Sequence, residues 1–366
     1  MNLQEKVKNL PLSPGVYLMK DSLGNIIYVG KAKKLKNRVQ SYFQNSKNHS
    51  QKVRKLVKNI NDLDFIVTDT EFEALILECQ LIKEIKPFYN KKMKSPQRYP
   101  FIVIQNDKVL RRIEITTTPK RGGGTLIFGP FSSLGLVEKA LQGIKECYKI
   151  DCSNLSHRNS ACLNYSLGLC IGMCRGGAAV EQYNAVVNKI IAIFNGTDMS
   201  ILEGIEQTML EAAEKCDFEK AAKYRDYVES INFLINREKV IEFTQETKNI
   251  AIIESLDEHT IKFFLINGNR VLFSEKYNME SLDVERLKAA IALGIFSNFK
   301  KSKVKTAAEV DQDDIDEAQI IYSYLQGSHC HYVTIPEKWL DSANNAKLDK
   351  VLGRLLGYIN SEVSPV

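Results

Sequence analysis

No apolar run in this 366-residue chain approaches the ~20 residues that a bilayer-spanning helix needs. The opening MNLQEKVKNL is polar and lacks the apolar core of a secretion signal. Both absences point to a cytoplasmic protein with no membrane partner. Paired short CxxC spacings, the usual mark of a structural zinc site, are missing too, although eight cysteines are present. Nor is the charge strongly one-sided. The formal net value is +6, too small by itself to prove a polyanion partner.

What is present is a folded chain. Hydrophobic residues make up 44%, and the length allows two to four domains with real cores. Charge is uneven along it. Residues 31–58 and 83–98 are dense in Lys and Arg, whereas Glu309–Glu317 is acidic. A basic N-terminal half suits a polyanion.

The organising stretch is Pro14–Tyr42. Two short apolar runs, Gly15–Met19 and Ile26–Gly30, flank a polar segment, so they predict a β-hairpin turning at Gly24-Asn25. A basic helix is expected from Lys31 to about Tyr42. Tyr17 and Tyr28 would sit on paired strands. Lys31, Arg38 and Tyr42 would share one helical face, being seven and four residues apart. Two phenols, an arginine and a lysine on one surface suit a phosphodiester. An ordinary hairpin with a solvated basic helix would carry the same residues.

Helices are expected at His49–Ile60 and Thr70–Ile85, with a strand at Leu63–Thr68 between them. Glu78 stands on the apolar face of the second helix among Leu75, Cys79 and Ile82. A buried carboxylate must be paired, protonated or bound to metal. A salt bridge to Lys31 or Arg38 is the plain possibility, and a metal the other.

Strands are expected at Phe101–Gln105 and Arg111–Thr116, then a Gly-rich turn at Gly122–Gly124 and a helix at Gly135–Cys147. Cys152, Cys162, Cys170 and Cys174 follow the pattern C-x9-C-x7-C-x3-C. Irregular gaps of this kind fit an iron–sulfur cube or a zinc ion about equally. Ala178 to about Phe243 reads as helical, broken into a hairpin where Asp217 caps a new helix. There Phe218, Ala221, Ala222 and Arg225 line one face, with Met209, Ala212 and Ala213 opposite. The last third alternates strands (249–254, 260–266, 270–276, 331–335) with helices (282–295, 317–325, 345–358), and Asn267-Gly268 forms a tight turn. Carboxylates favour helix entrances, so the acidic run Asp311–Glu317 reads as one.

Gly15-Val16-Tyr17 and Tyr28-Val29-Gly30, with Arg38 after them, resemble the signature of GIY-YIG nucleases. The longer string PGVY…IYVGKAKKLKNRVQSYF resembles one branch, UvrC, the nuclease subunit of bacterial nucleotide-excision repair. EALILECQLIKEIKPFYN is similar to that family's segment in which a glutamate holds a single divalent metal. The resemblance therefore implies Mg²⁺ or Mn²⁺ on Glu78. It further implies Tyr28 as general base, Arg38 as the phosphate clamp, Lys31, Tyr17 and Tyr42 in support, and Asn90 helping to hold the site. One loop departs from the family. Ser95, Pro96 and Gln97 replace two aspartates and a lysine before Tyr99-Pro100-Phe101. No candidate catalytic residue is lost with them. Phe128–Phe131 resembles the FGPY segment.

The cysteine pattern resembles UvrC's own, which implies a [4Fe–4S] cluster on Cys152, Cys162, Cys170 and Cys174. MLEAAEKCDFEKAAKYRDYVESI resembles the UVR motif, which implies a UvrB interface at Phe218, Ala221, Ala222 and Arg225. The expected architecture is an α+β multidomain chain. It comprises a GIY-YIG nuclease domain (1–95), a Cys-rich iron–sulfur region (96–180), a helical arm (181–245, UVR motif about 205–236) and an α/β domain (246–366). That last part resembles the UvrC segment preceding the second nuclease, and no RNase H-like or helix-hairpin-helix counterpart follows before Val366. The implied function is a single metal-dependent incision in DNA, 3′ to a lesion, with UvrB and indirectly UvrA. Two rivals are a non-catalytic UvrB-binding scaffold and a structure-specific nuclease that ignores UvrB.

Overall fold

The structure, a computed structural model, describes residues 2–44, 50–90, 99–105, 111–120, 122–152, 161–279, 284–301, 312–340 and 345–362. The altered loop at 93–98, His157 and Asp311 lie outside them. Two compact units form: Met1–Ser95 with Glu242–Val366, and Pro96–Ile241.

In chain order, helix α1 (Leu3–Lys8) leads to β1 (Gly15–Lys20) and β2 (Ile26–Ala32). Asp21 makes the turn, its Oδ1 accepting the N–H groups of Leu23 and Asn25, each at 2.9 Å. Gly24 supplies φ +81°, which a side chain would resist. Helices α2 (Leu35–Phe43) and α3 (Gln51–Asn59), strand β3 (Asp62–Val67) and helix α4 (Glu71–Ile85) complete this part. The antiparallel sheet is ordered β2-β1-β3.

β1 is central and reads buried on both faces. Tyr17 and Met19 point to a core with Leu35, Val39 and Leu56 from α2 and α3. Val16 and Leu18 point to the other, with Ala74 and Ile82 from α4. That is the two-residue period of a strand sandwiched between helices.

One expectation fails here. Lys31 is a strand residue, not the first residue of the basic helix. The ladder continues through Val16↔Lys31 and Gly15↔Ala32, and that tertiary pairing overrides the helix propensity of lysine, which is favourable but worth only tenths of a kcal/mol, about 0.5 at most. Lys31 therefore shares no helical face with Arg38 and Tyr42.

α4 starts where the sequence marks it. The Thr70 hydroxyl accepts from the Glu73 N–H, and the Glu73 carboxylate accepts from the Thr70 N–H, forming a capping box.

The second unit holds β4 (Phe101–Gln105), β5 (Arg112–Thr116) and β6 (Leu126–Phe128), ordered β5-β4-β6. Helices α5 (Leu134–Cys147), α6 (Leu163–Ser166), α7 (Ala178–Phe194), α8 (Ser200–Glu214) and α9 (Phe218–Gln245) follow. One core joins Ile102, Phe131, Ile144, Ile190 and Ile201 to Cys162, Cys170 and Cys174. The cysteine segment is thus packed into this core. Asp217 does split α8 from α9, its Oδ1 accepting the Lys220 N–H at 3.1 Å.

The chain then returns to the first unit with β7 (Asn249–Ser255), β8 (Thr260–Asn267) and β9 (Arg270–Asn278). After them come α10 (Val284–Lys301), α11 (Gln312–Leu325), β10 (His331–Thr334) and α12 (Ala346–Glu362). The sheet is antiparallel, ordered β10-β7-β8-β9. The β8–β9 turn falls on Gly268 and Asn269, between the paired Asn267 and Arg270, one residue later than the sequence indicated. Ile261, Phe263 and Leu265 face α10 and α12. The alternate residue Phe264 meets Phe72 of α4 edge-on at 5.2 Å. α4 therefore lies between two sheets. The chain is a multidomain α+β protein, and no described helix is long and apolar enough to cross a membrane.

Candidate active site

β1, β2 and α2 bring three phenols together. Ring centroids of Tyr17, Tyr28 and Tyr42 are 5.9–6.3 Å apart. The Tyr17 and Tyr42 hydroxyls share a buried hydrogen bond of 2.9 Å. Gly30 makes this possible, because a Cβ there would overlap the Tyr17 phenol. Gly15 is equally constrained, with the Ile66 carbonyl and the Leu35 side chain where its Cβ would be. Arg38, one turn before Tyr42, lays its guanidinium 5.2 Å from the Tyr42 ring centroid and points Nη2 at the Tyr42 hydroxyl, 3.4 Å away.

Burial pushes the Tyr17 phenol far above its ordinary value, and the Tyr42 and Tyr28 phenols add to that. Burial also raises Tyr28, reinforced by Tyr42 and by the Glu78 carboxylate, while Arg38 pulls the other way. Both phenols thus hold their protons at neutral pH.

Glu78 stands opposite, on α4. Its Oε1 accepts the backbone N–H of Lys31 at 3.1 Å. The Lys31 ammonium turns aside to Glu71, seven residues before Glu78 and therefore on the same helical face. Among the described residues Glu78 has no ion-pair partner, and the simple salt bridge to Lys31 or Arg38 does not form. Burial raises its carboxyl, opposed by the Lys31 N–H and by the charges of Lys31 and Arg38. Such a carboxylate suits a hard cation.

These groups border a cleft of about 520 Å³ lined by Tyr17, Tyr28, Lys31, Lys33, Lys34, Asn37, Arg38 and Glu78. Glu71, Lys33, Lys34 and Asn37 are not among the residues that the sequence singles out. The seven-residue spacing of Glu71 and Glu78 was the available signal for the first. Asn90 is buried behind the cleft. It accepts the Val29 N–H at 3.0 Å and donates to the Val29 carbonyl at 2.8 Å, pinning β2 next to Tyr28.

In the other unit, the sulfurs of Cys152, Cys162 and Cys174 lie within 4.8 Å of one another, with Cys152 and Cys162 3.8 Å apart. Cys170 is buried nearby, its sulfur accepting the Gly172 N–H at 3.4 Å, but it does not join that set. Three converging thiols fit a thiophilic metal. On the helical arm, Phe218 is 70% exposed and Leu210 52%. Ala222 and Arg225 are exposed, and Ala221 is half-buried. The opposite side of α9 is occupied, with Tyr227 packed where a Cβ on Gly143 would go.

Three family models match the chain: the UvrC-like GIY-YIG domain over residues 13–91, the UvrC/Cho excinuclease middle domain over 99–193, and the UvrB/uvrC motif over 200–232. UvrABC system protein C of Clostridium perfringens is 36% identical over 364 residues, covering 95% of this chain and 58% of that protein. Its counterpart from Acetivibrio thermocellus is 35% identical over 351 residues, 92% of this chain and 55% of that protein. Among solved structures, the magnesium-bound GIY-YIG N-terminal endonuclease domain of UvrC from Thermotoga maritima is 40% identical. It covers 24% of this chain and 96% of that one, at a TM-score of 0.22. The chain spans a little over half the length of these curated relatives, and over that span it belongs to the UvrC family.

Proposed function

We propose that this protein is a metal-dependent DNA endonuclease of nucleotide-excision repair that makes a single incision, 3′ to the lesion, together with UvrB. One observation carries the reading. Glu78 is a partly buried carboxylate, aimed into a cleft of lysines and arginine, without an ion-pair partner among the described residues. Leaving such a charge uncompensated is costly, and Mg²⁺ or Mn²⁺ would compensate it. A bound divalent cation supplies Lewis-acid stabilisation of the phosphoryl oxygens.

The chain's own residues divide the remaining work. Arg38 bridges phosphate oxygens and offsets charge developing there. Tyr28, at the cleft, acts as general base, its phenol oxygen accepting the proton of the attacking water as its own proton passes to solvent in the cleft. The Tyr17–Tyr42 pair fixes the floor on which Tyr28 and Arg38 rest. Lys31, Lys33 and Lys34 orient the DNA backbone. Asn90 holds β2. Residues 1–95 would form the nuclease domain, 96–180 the cysteine region, 181–245 the arm and 246–366 the α/β domain.

Cys152, Cys162, Cys170 and Cys174 would hold a [4Fe–4S] cluster. Zinc is the second reading, favoured by the 3.8 Å between Cys152 and Cys162, since tetrahedral Zn–S bonds of about 2.3 Å set sulfurs about 3.8 Å apart. Metal analysis with visible absorption separates the two. A brown, reducible protein is the cluster, and a colourless one with one zinc is not. The exposed Phe218 face would dock UvrB in the helix-on-helix mode, with UvrA acting indirectly.

The test is a nicking assay with Mg²⁺ on a duplex carrying one bulky lesion, each end labelled separately, with and without UvrA and UvrB. A single UvrB-dependent cut 3′ to the lesion is expected. No cut supports a UvrB-binding scaffold. A cut indifferent to lesion and partner supports a structure-specific nuclease.

A further inference from the structure

Helix α4 shows different faces to its two sheets. Glu71 and Glu78 face β2, where the ammonium and the backbone N–H of Lys31 meet them. Phe72, Ile76, Cys79 and Lys83 follow another helical stripe. Phe72 stacks on Tyr324 of α11 at 4.1 Å and 9°, and Lys83 pairs with Glu317 of α11 at 3.1 Å.

The entrance of α4 is tied to β8 and β9. Lys262 Nζ lies 2.8 Å from both Asp69 and Glu73. Lys276 reaches Asp69 at 2.8 Å. The Ser274 hydroxyl donates to Glu73 Oε1 at 2.8 Å. Lys262 is only 5% exposed, a burial a lysine tolerates only among carboxylates. Glu73 does two jobs. Oε2 accepts the N–H groups of Asp69 and Thr70, at 3.1 and 3.2 Å, closing the helix start, while Oε1 binds the sheet. Glu78 is five residues farther along, about 7.5 Å of helix.

We infer that Lys262 is a positioning residue for Glu78. Through Asp69 and Glu73 the β7–β10 sheet sets the rotation and axial height of α4, and with them the place where the Glu78 carboxylate enters the cleft. The structural α/β part thereby becomes a component of the nuclease site, although none of its described residues lines that cleft. A displacement of about 1 Å at a reacting group can cost about 10²-fold in rate. The inference rests on Glu78 being a cation ligand.

The test uses the full chain and Mn²⁺, with bound and free ion separated by electron paramagnetic resonance. Glu78→Gln should lose binding, and if it does not, the cation reading itself fails. Given that loss, Lys262→Met is expected to weaken Mn²⁺ about 10-fold, the lower end for groups that orient a ligand. The Mn²⁺ midpoint for nicking should shift in parallel while KM for DNA stays put. Lys288→Met is the control, because Lys288 pairs at 2.8 Å with Asp349 between α10 and α12, and it should leave the affinity unchanged. An unchanged affinity in Lys262→Met, or an equal loss in Lys288→Met, overturns the inference. If Lys262→Met does not fold, Lys262→Arg and Ser274→Ala decide. A loss of about 2-fold, the worth of one weak hydrogen bond, supports the inference, and parental affinity in both overturns it.

Discussion

Tyr17 and Gly30 face one another across the β1–β2 ladder, so close that any Cβ on Gly30 would overlap the phenol. The glycine is thus part of the tyrosine's seat. Gly30→Ala is expected to displace Tyr17, break its 2.9 Å contact with Tyr42 and cost about 1–3 kcal/mol through overpacking. Chemical denaturation and a nicking assay would show it. A variant as stable and active as the parent would contradict the geometry.

Glu78 is expected to govern the pH profile. Its carboxyl is raised by burial, so the ionised form disappears on acidification at a higher pH than the usual ~4.3. Cation binding, which needs that form, should fail on the acid side above the ordinary carboxylate range. The stability effect has the opposite sense. A raised folded value stabilises the cation-free fold at pH below the unfolded value, and that contribution is lost as pH rises through the folded one. Mn²⁺ should therefore stabilise the protein more at neutral than at acid pH. In Glu78→Gln both dependences vanish, and nicking falls by about 10²–10³-fold, the scale for losing one group that stabilises the transition state.

Asn90→Ala removes both partners of the buried Val29 peptide. Unpaired buried groups cost about 1–3 kcal/mol, and the strand carrying Tyr28 loses its pin. A lowered unfolding midpoint together with weaker nicking is expected. Asn90→Asp restores only the acceptor half and should fall between.

Phe218→Asp should abolish UvrB capture by at least about 10-fold, the scale of an interface anchor, while leaving the thermal unfolding curve in place. Its side chain is 70% exposed, so the fold depends little on it. Calorimetry with purified UvrB measures the first and circular dichroism the second.

Most of the elements were legible because their signals are local. Asp21, Thr70 and Asp217 cap or turn within a few residues of themselves, and period-two or helical spacing separates β1 from α4. Glu78 stood out as a carboxylate among apolar neighbours. What could not be read depends on distant pairing. Lys31 looks helical in a basic run, yet its partner strand holds it extended. The Lys31 ammonium chooses Glu71 over Glu78, which only packing decides. Lys262 meets Asp69 and Glu73 across 193 and 189 residues of chain, and no spacing rule links them. Similarly, four cysteines in one pattern do not reveal that three sulfurs converge and Cys170 stands apart.

β1 lies in the middle of its sheet with a helix layer on either side, and it carries Tyr17. Its amides should be among the last in the sheet to exchange with deuterium, because opening them requires the whole sheet to come apart. Glu78 sits on α4, which both sheets hold, through Ala74 and Ile82 on one side and Phe72 on the other. On warming, the acidic half of the site should therefore persist as long as the tyrosine floor, and the two should be lost together when the sheets come apart.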